Sequence, residues 1–121
     1  MTPLQLMADS YITAMHWAST DENGDPLDNY PTAAEAKDIA ATTCNNFLKV
    51  HGDDLSIVMG LHPHYGYEQA GHDLFLTREG HGAGFWDRDL GHYGDVFTKY
   101  CQSIGTADPY VGDDGFVYVN V

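Results

Sequence analysis

Ala70-Gly71-His72-Asp73-Leu74-Phe75-Leu76-Thr77-Arg78-Glu79-Gly80-His81-Gly82-Ala83-Gly84-Phe85-Trp86-Asp87-Arg88 is the densest stretch of this chain, and its reading decides the fold. It holds two histidines, three acids, two arginines and four of the 13 glycines. Residues 72–78 alternate in the manner of a strand. Asp73, Phe75 and Thr77 fall on one face, and His72, Leu74, Leu76 and Arg78 on the other. Glu79-Gly80 reads as a turn into a partner strand carrying Phe85 and Trp86. Gly80, Gly82 and Gly84 at the entry to that strand allow a bulge or close backbone approach.

Working outward, Asp95 to Ile104 places Val96, Phe97, Tyr100 and Ile104 at helical spacing, and Gly105 ends the helix. Tyr110-Val111 and Phe116 to Val119 flank Gly112-Asp113-Asp114-Gly115, which has the turn chemistry of a hairpin. Upstream, Leu61 to Tyr67 reads as irregular, and Asp53 caps a short helical turn through Leu55, Ile57, Val58 and Met59. Thr32 with Glu35 forms a capping box for a helix whose inner stripe is Ala36, Ile39, Ala40, Thr43, Phe47 and Val50, with Gly52 as its stop. Ser19 to Tyr30 is a polar loop. Thr2 and Pro3 open a first helix over 3–19, with Leu4, Met7, Tyr11, Met15 and Ala18 on its apolar stripe. Helices beside antiparallel hairpins, without βαβ alternation, predict an α+β fold. The expectation is one domain, 1–121, with a sheet of two hairpins (about four strands) packed against two or three helices.

Composition narrows the function. The chain has 121 residues, 43% hydrophobic and 12% aromatic, enough for a real core. Its 18 acids against 5 basic residues give a net charge of −13. Residues 1–50 carry −5 and residues 51–121 carry −8, so the excess is spread along the chain. Phosphate binding needs clustered Lys and Arg, and none exist here, which argues against nucleic acid. An anionic membrane would repel the same surface. A basic protein patch would be attracted, and simple solubility accounts for the charge equally well. Cys44 and Cys101 are far apart on helical segments and read as free core thiols. No basic and apolar leader opens the sequence, and no apolar run approaches the ~20 residues of a membrane span. A reducing cytoplasm is the expected setting.

Two constellations could carry chemistry. On the 72–88 hairpin, His72 or His81 could act as general base or ligand, with Asp73 or Asp87 orienting it. His72, His81 and Asp87, with His62 or His64, could hold Zn²⁺ or another divalent ion, although the spacing matches no zinc signature. His62-Pro63-His64 is a second candidate, since alternate residues of an extended segment face one way. Against both stands the plain reading of histidines and acids at loop and turn surfaces, and no cofactor is assigned. Asp21-Glu22-Asn23-Gly24-Asp25 starts like a calcium loop, but Pro26 stands where the turn glycine belongs and Thr32 where the bidentate Glu belongs. A nucleophile elbow and a phosphate-binding glycine loop are both lacking. Trp86, Tyr65, Tyr67 and Tyr110, with Asp113 and Asp114, instead suit a protein-binding patch that meets Arg and Lys.

Gly71-His72-Asp73-Leu74-Phe75-Leu76-Thr77-Arg78, then His81-Gly82-Ala83-Gly84-Phe85-Trp86-Asp87, then Tyr110-Val111-Gly112-Asp113-Asp114-Gly115, resembles a group of small uncharacterised bacteriophage proteins. The resemblance covers roughly residues 66–118. It implies phage or prophage origin and action in the bacterial cytoplasm, and it carries no catalytic residue with it. Two classes of function follow as expectations. One is an acidic accessory protein that binds and modulates a host protein with a basic surface, nucleic-acid mimicry being one version. The other is a small enzyme, metal-dependent or not, on the 72–88 hairpin. A minor virion assembly factor is a plainer third. The balance favours binding over catalysis, and base rates alone admit a homodimer.

Overall fold

A computed structural model describes residues 1–120 and shows four helices with one small hairpin. They are α1 (Pro3–Ala18), α2 (Ala34–Leu61), α3 (Tyr67–Arg78) and α4 (His92–Ile104), followed by β1 (Tyr110–Val111) paired antiparallel with β2 (Val117–Tyr118). Short 3₁₀ turns cover Leu27–Asn29 and Phe85–Asp87.

The expected four-stranded α+β sheet is therefore corrected. Residues 72–78 are the C-terminal part of α3, and Phe85-Trp86 lies in a 3₁₀ turn. The physical reason is burial on almost every side. Ala70, Gly71, Asp73, Leu74, Phe75, Leu76 and Thr77 are all buried, so residues 73–77 have no exposed face to reveal a helical period. A short run of that kind has the same periodicity whether it is a core helix or a buried strand. Only the C-terminal hairpin survives of the two. Tyr110 pairs with Tyr118 and Val111 with Val117 around the Asp-Gly turn.

α1 crosses α3 at backbone contact. A Cβ on Gly71 would overlap the backbone carbonyl of Met7, so glycine sets the distance between the two helices. Around that point Tyr11 packs edge-on against Phe75, with ring centroids 5.3 Å apart, and the Ser10 hydroxyl donates to the Glu68 carbonyl. The sequence stripe of α1 holds, with Met7, Tyr11 and Met15 buried and Ala8 and Ala14 completing the face. Thr2 caps α1 as expected, and Gln5 closes a capping box.

α2 departs from expectation at both ends. Its N-cap is Ala33, without a side-chain cap. The Thr32 hydroxyl is engaged instead by Nε2 of His16 at 2.6 Å, while Ala33 N–H donates to Val117 O at 3.0 Å. The capping residue was thus taken by tertiary contacts with α1 and β2. Gly52 does not stop the helix. His51 leaves helical geometry (φ −124°, ψ 15°), and α2 kinks and continues to Leu61. Buried Ala40, Cys44, Phe47, Leu55 and Val58, with half-buried His51 between them, keep a helical stripe running through the kink. Val50 lies outside that stripe and is exposed. Phe47, Phe85 and Phe97 form the centre of the core between α2, the 85–87 turn and α4, with centroids 5.1–5.6 Å apart.

The segment after α4 is tied back to the end of α3. Arg78 donates to the carbonyls of Gly105 (2.8 Å) and Ile104 (3.5 Å) and to the Tyr11 hydroxyl (3.0 Å). A guanidinium on the last carbonyls of α4 complements the negative end of that helix. Glu79 accepts from Ala107 N–H at 2.7 Å and Asp108 N–H at 3.1 Å. Among the described residues no helix is long and apolar enough to cross a membrane.

Two glycines on helices test this packing. Gly71→Ala forces α1 and α3 apart and should cost about 1–3 kcal/mol or more in urea unfolding. Gly60→Ala on α2, where a Cβ meets nothing, should be neutral or stabilise by up to ~1 kcal/mol. Equal effects at the two positions would mean that α1 and α3 do not meet at Gly71.

Candidate functional site

The fold turns one residue of the central helix into its most constrained polar group. Asp73 is fully buried, on the face of α3 that meets the 61–67 connection and the 85–90 segment. Its carboxylate accepts a hydrogen bond from the Tyr65 hydroxyl at 2.7 Å. It also accepts from Arg88, through Nε at 3.1 and 3.2 Å and Nη2 at 2.9 Å. A buried carboxylate without such donors would be strongly unfavourable. The hydrogen bonds to Asp73 push the Arg88 guanidinium further up, and burial followed by the Asp73 charge pushes the Tyr65 phenol well above its ordinary value. Both shifts favour the protonated forms, a guanidinium at Arg88 and a neutral phenol at Tyr65.

Arg88 reaches Asp73 because the chain reverses tightly after α3. Gly84 sits at φ 155°, and a Cβ there would collide with the Thr77 hydroxyl. That hydroxyl instead accepts from Phe85 N–H at 2.9 Å. This single turn buries Phe85, exposes Trp86 and directs Arg88 inward.

A cleft of about 310 Å³ opens beside the cluster. His62, His64, Tyr65, Gln69 and Arg88 contribute its polar lining, and Leu61, Pro63 and Leu90 its apolar lining. Arg88 also borders a second hollow shared with Ser10, Glu68 and His72.

The site residues expected on a 72–88 hairpin are dispersed by the helix. Asp73 points into the core, while His72 meets the Trp17 ring edge-on with centroids 5.4 Å apart. His81 follows α3 and is fixed through its backbone N–H to Leu76 O at 3.0 Å. Asp87 is exposed. His62 and His64 line one cleft, but the segment is a turn closed by Tyr65 N–H to His62 O at 2.9 Å, not the extended run from which their pairing was expected. Among the described residues no three His, Cys, Asp or Glu side chains gather in a geometry that could hold a metal. Tyr65 is an internal donor to Asp73, so its expected role in a partner surface gives way to a structural one. Tyr67 is half-buried at the start of α3.

A second concave region brings together residues from both ends of the chain. Asp21, Glu22 and Tyr30 of the 19–30 loop face Tyr110 and Asp113 of the hairpin across a groove of about 510 Å³. The loop is stiffened by Asp21, whose carboxylate accepts from Asn23 N–H at 2.9 Å, Asp25 N–H at 3.0 Å and the Tyr30 hydroxyl at 3.1 Å. These bonds, that from Asp25 foremost, hold the Asp21 carboxyl below its usual value. Asp114 is similarly held down by the Tyr118 hydroxyl at 2.6 Å, which braces the hairpin turn. The sequence had marked Tyr110, Asp113 and Asp114. It gave no sign that Asp21, Glu22 and Tyr30 would join them.

No protein-family model, characterised protein or solved structure matches this chain.

The cluster and the core predict three solution properties. Tyr65→Phe removes a donor from a buried carboxylate and should cost about 1–3 kcal/mol, whereas Tyr67→Phe, whose hydroxyl has no partner among the described residues, should be near neutral. Burial pushes both Cys44 and Cys101 up to about 12, so aromatic-disulfide reagents should label neither thiol until the protein is unfolded. Burial raises Tyr11 to about 12 as well. For all three groups the folded value lies above the unfolded one, so the fold favours the protonated form. Their contribution is complete below the unfolded values of 9.0 and 10.0 and is lost as pH climbs toward about 12. Urea midpoints should therefore fall steadily above pH 9. Midpoints unchanged to pH 12 would contradict the burial of these groups.

Proposed function

We propose that the protein is a phage-encoded accessory protein of the bacterial cytoplasm that docks on a basic surface of a host protein and modulates it. The observation that carries this reading is the direction of its charges. Of the 18 acids only Asp73 is buried. Both arginines spend their guanidinium groups on internal partners, and the three lysines, Lys37, Lys49 and Lys99, are exposed. The outer surface is thus more one-sided than the composition, and a surface of that kind steers a basic partner toward it.

The groove between the 19–30 loop and the hairpin supplies a contact region within that field. Tyr30 and Tyr110, the latter stacked on Tyr118, line it with aromatic rings, and Asp21, Glu22 and Asp113 offer carboxylates around them. Lysine and arginine side chains suit such a wall through ion pairing and cation–π contact together. Braced turns at Asp21 and Asp114 limit the ordering cost of binding. The bacteriophage resemblance of residues 66–118 supplies the setting. Mimicry of nucleic acid is the version of this reading in which the partner's basic surface ordinarily holds phosphates.

A fluorescent peptide of alternating Arg and Gly tests the contact region. It should bind with an affinity that falls steeply between about 50 and 300 mM salt. Tyr110→Ala and Glu22→Gln/Asp113→Asn should each weaken it about fivefold or more. Asp53→Asn/Asp95→Asn, an equal loss of charge on exposed positions of α2 and α4, should change it little. A response that tracks total charge alone, or ignores salt, would remove the groove from the proposal.

A further inference from the structure

We propose that the cleft beside Arg88 is a binding site for a small organic carboxylate with an apolar body, separate from the acidic docking groove. This protein repels anions almost everywhere, so a concave site without an acid in its wall stands apart. The cleft has none. Its polar groups are His62, His64, Gln69 and Arg88, with Tyr65 whose hydroxyl is spent on Asp73, and its apolar groups are Leu61, Pro63 and Leu90.

Arg88 is held for this task from behind. Nε and Nη2 are committed to Asp73, which fixes the plane of the guanidinium, while Nη1 has no partner among the described residues. The side chain is 29% exposed, so it is neither sealed in the core nor free to swing away. The side chains of His62, His64 and Gln69 likewise make no hydrogen bond among the described residues. From α3 only Gln69 reaches this wall, and it offers a side-chain amide donor. A preoriented guanidinium edge is complementary to a carboxylate.

Charge selects a monoanion. Asp73 offsets the formal charge of Arg88, leaving directed N–H donors rather than the net positive charge that a phosphate dianion demands. Glu68 borders the neighbouring hollow and not this cleft, which directs an anion to the His64 side of Arg88. A volume of about 310 Å³ lies at the small end of ligand sites, and Leu61, Pro63 and Leu90 favour an aliphatic or aromatic tail.

Titration of ¹⁵N-labelled protein with hexanoate, hexanamide and inorganic phosphate separates the alternatives. Hexanoate should give saturable shifts at the Gln69 side-chain amide, the Arg88 Nε–H and the backbone of residues 61–69, with a millimolar Kd. Hexanamide and phosphate should bind at least about tenfold more weakly. Gln69→Ala and His64→Ala, at positions outside the core, should each weaken hexanoate severalfold while the rest of the spectrum stays native. Hexanamide matching hexanoate would mean a merely apolar hollow. Phosphate matching hexanoate would mean a general anion site. Scattered or unsaturable shifts would mean no site. Each of these three overturns the proposal.

Discussion

The carboxylate of Asp73 is the constraint on which the rest of this structure depends. A charge placed in the middle of a buried helix is unfavourable unless donors surround it. Two segments supply them. The connection after α2 brings Tyr65, and the turn after α3 brings Arg88. Meeting the demands of one carboxylate therefore fixes how α2 joins α3 and how the chain leaves α3 toward α4. Gly84 and Thr77 shape the second of these paths, and the Gly71 contact with Met7 sets α3 against α1. The cleft with His62 and His64 is the gap left where those two paths pass each other.

The same internal pairing shapes the exterior. Arg88 turns inward to Asp73, and Arg78 turns inward to the end of α4. Each removes a positive group from a surface already short of them. Structural demands inside and electrostatic character outside are thus one property of the sequence. An acidic protein that kept its arginines on the surface would offer a basic partner a patchier field.

Much of this was legible in the residues. The stripe of Met7, Tyr11 and Met15, the Thr2 cap, the inert positions of Cys44 and Cys101, the α4 segment and the Asp-Gly hairpin all follow local rules that the structure obeys. The error fell on α3, where the unbroken burial of residues 73–77 erased the helical period. Reading 72–78 as a strand then made a hairpin of its neighbours, and His72, His81 and Asp87 became a site that the helix disperses. Thr32 and Gly52 misled for a related reason. Each is a sound local signal, overridden by contacts with His16 and Val117 in one case and by the continuing core stripe in the other. The Asp73–Tyr65–Arg88 cluster was out of reach because nothing in a sequence marks one acid among 18 as the buried one. The groove joining Tyr30 to Tyr110 depends on contacts across some eighty residues, which no local pattern encodes.

The most direct test of this account is a double-mutant cycle on the central pair, read by urea unfolding with Asp73→Leu, Arg88→Met and both together. The account predicts that Arg88→Met, which leaves Asp73 buried and uncompensated, costs about 3–5 kcal/mol. It predicts that the double variant loses far less than the sum of the two single losses, because the apolar pair removes the demand along with its partner. Additive losses, or an Arg88→Met protein as stable as the parent, would show that the fold does not rest on Asp73.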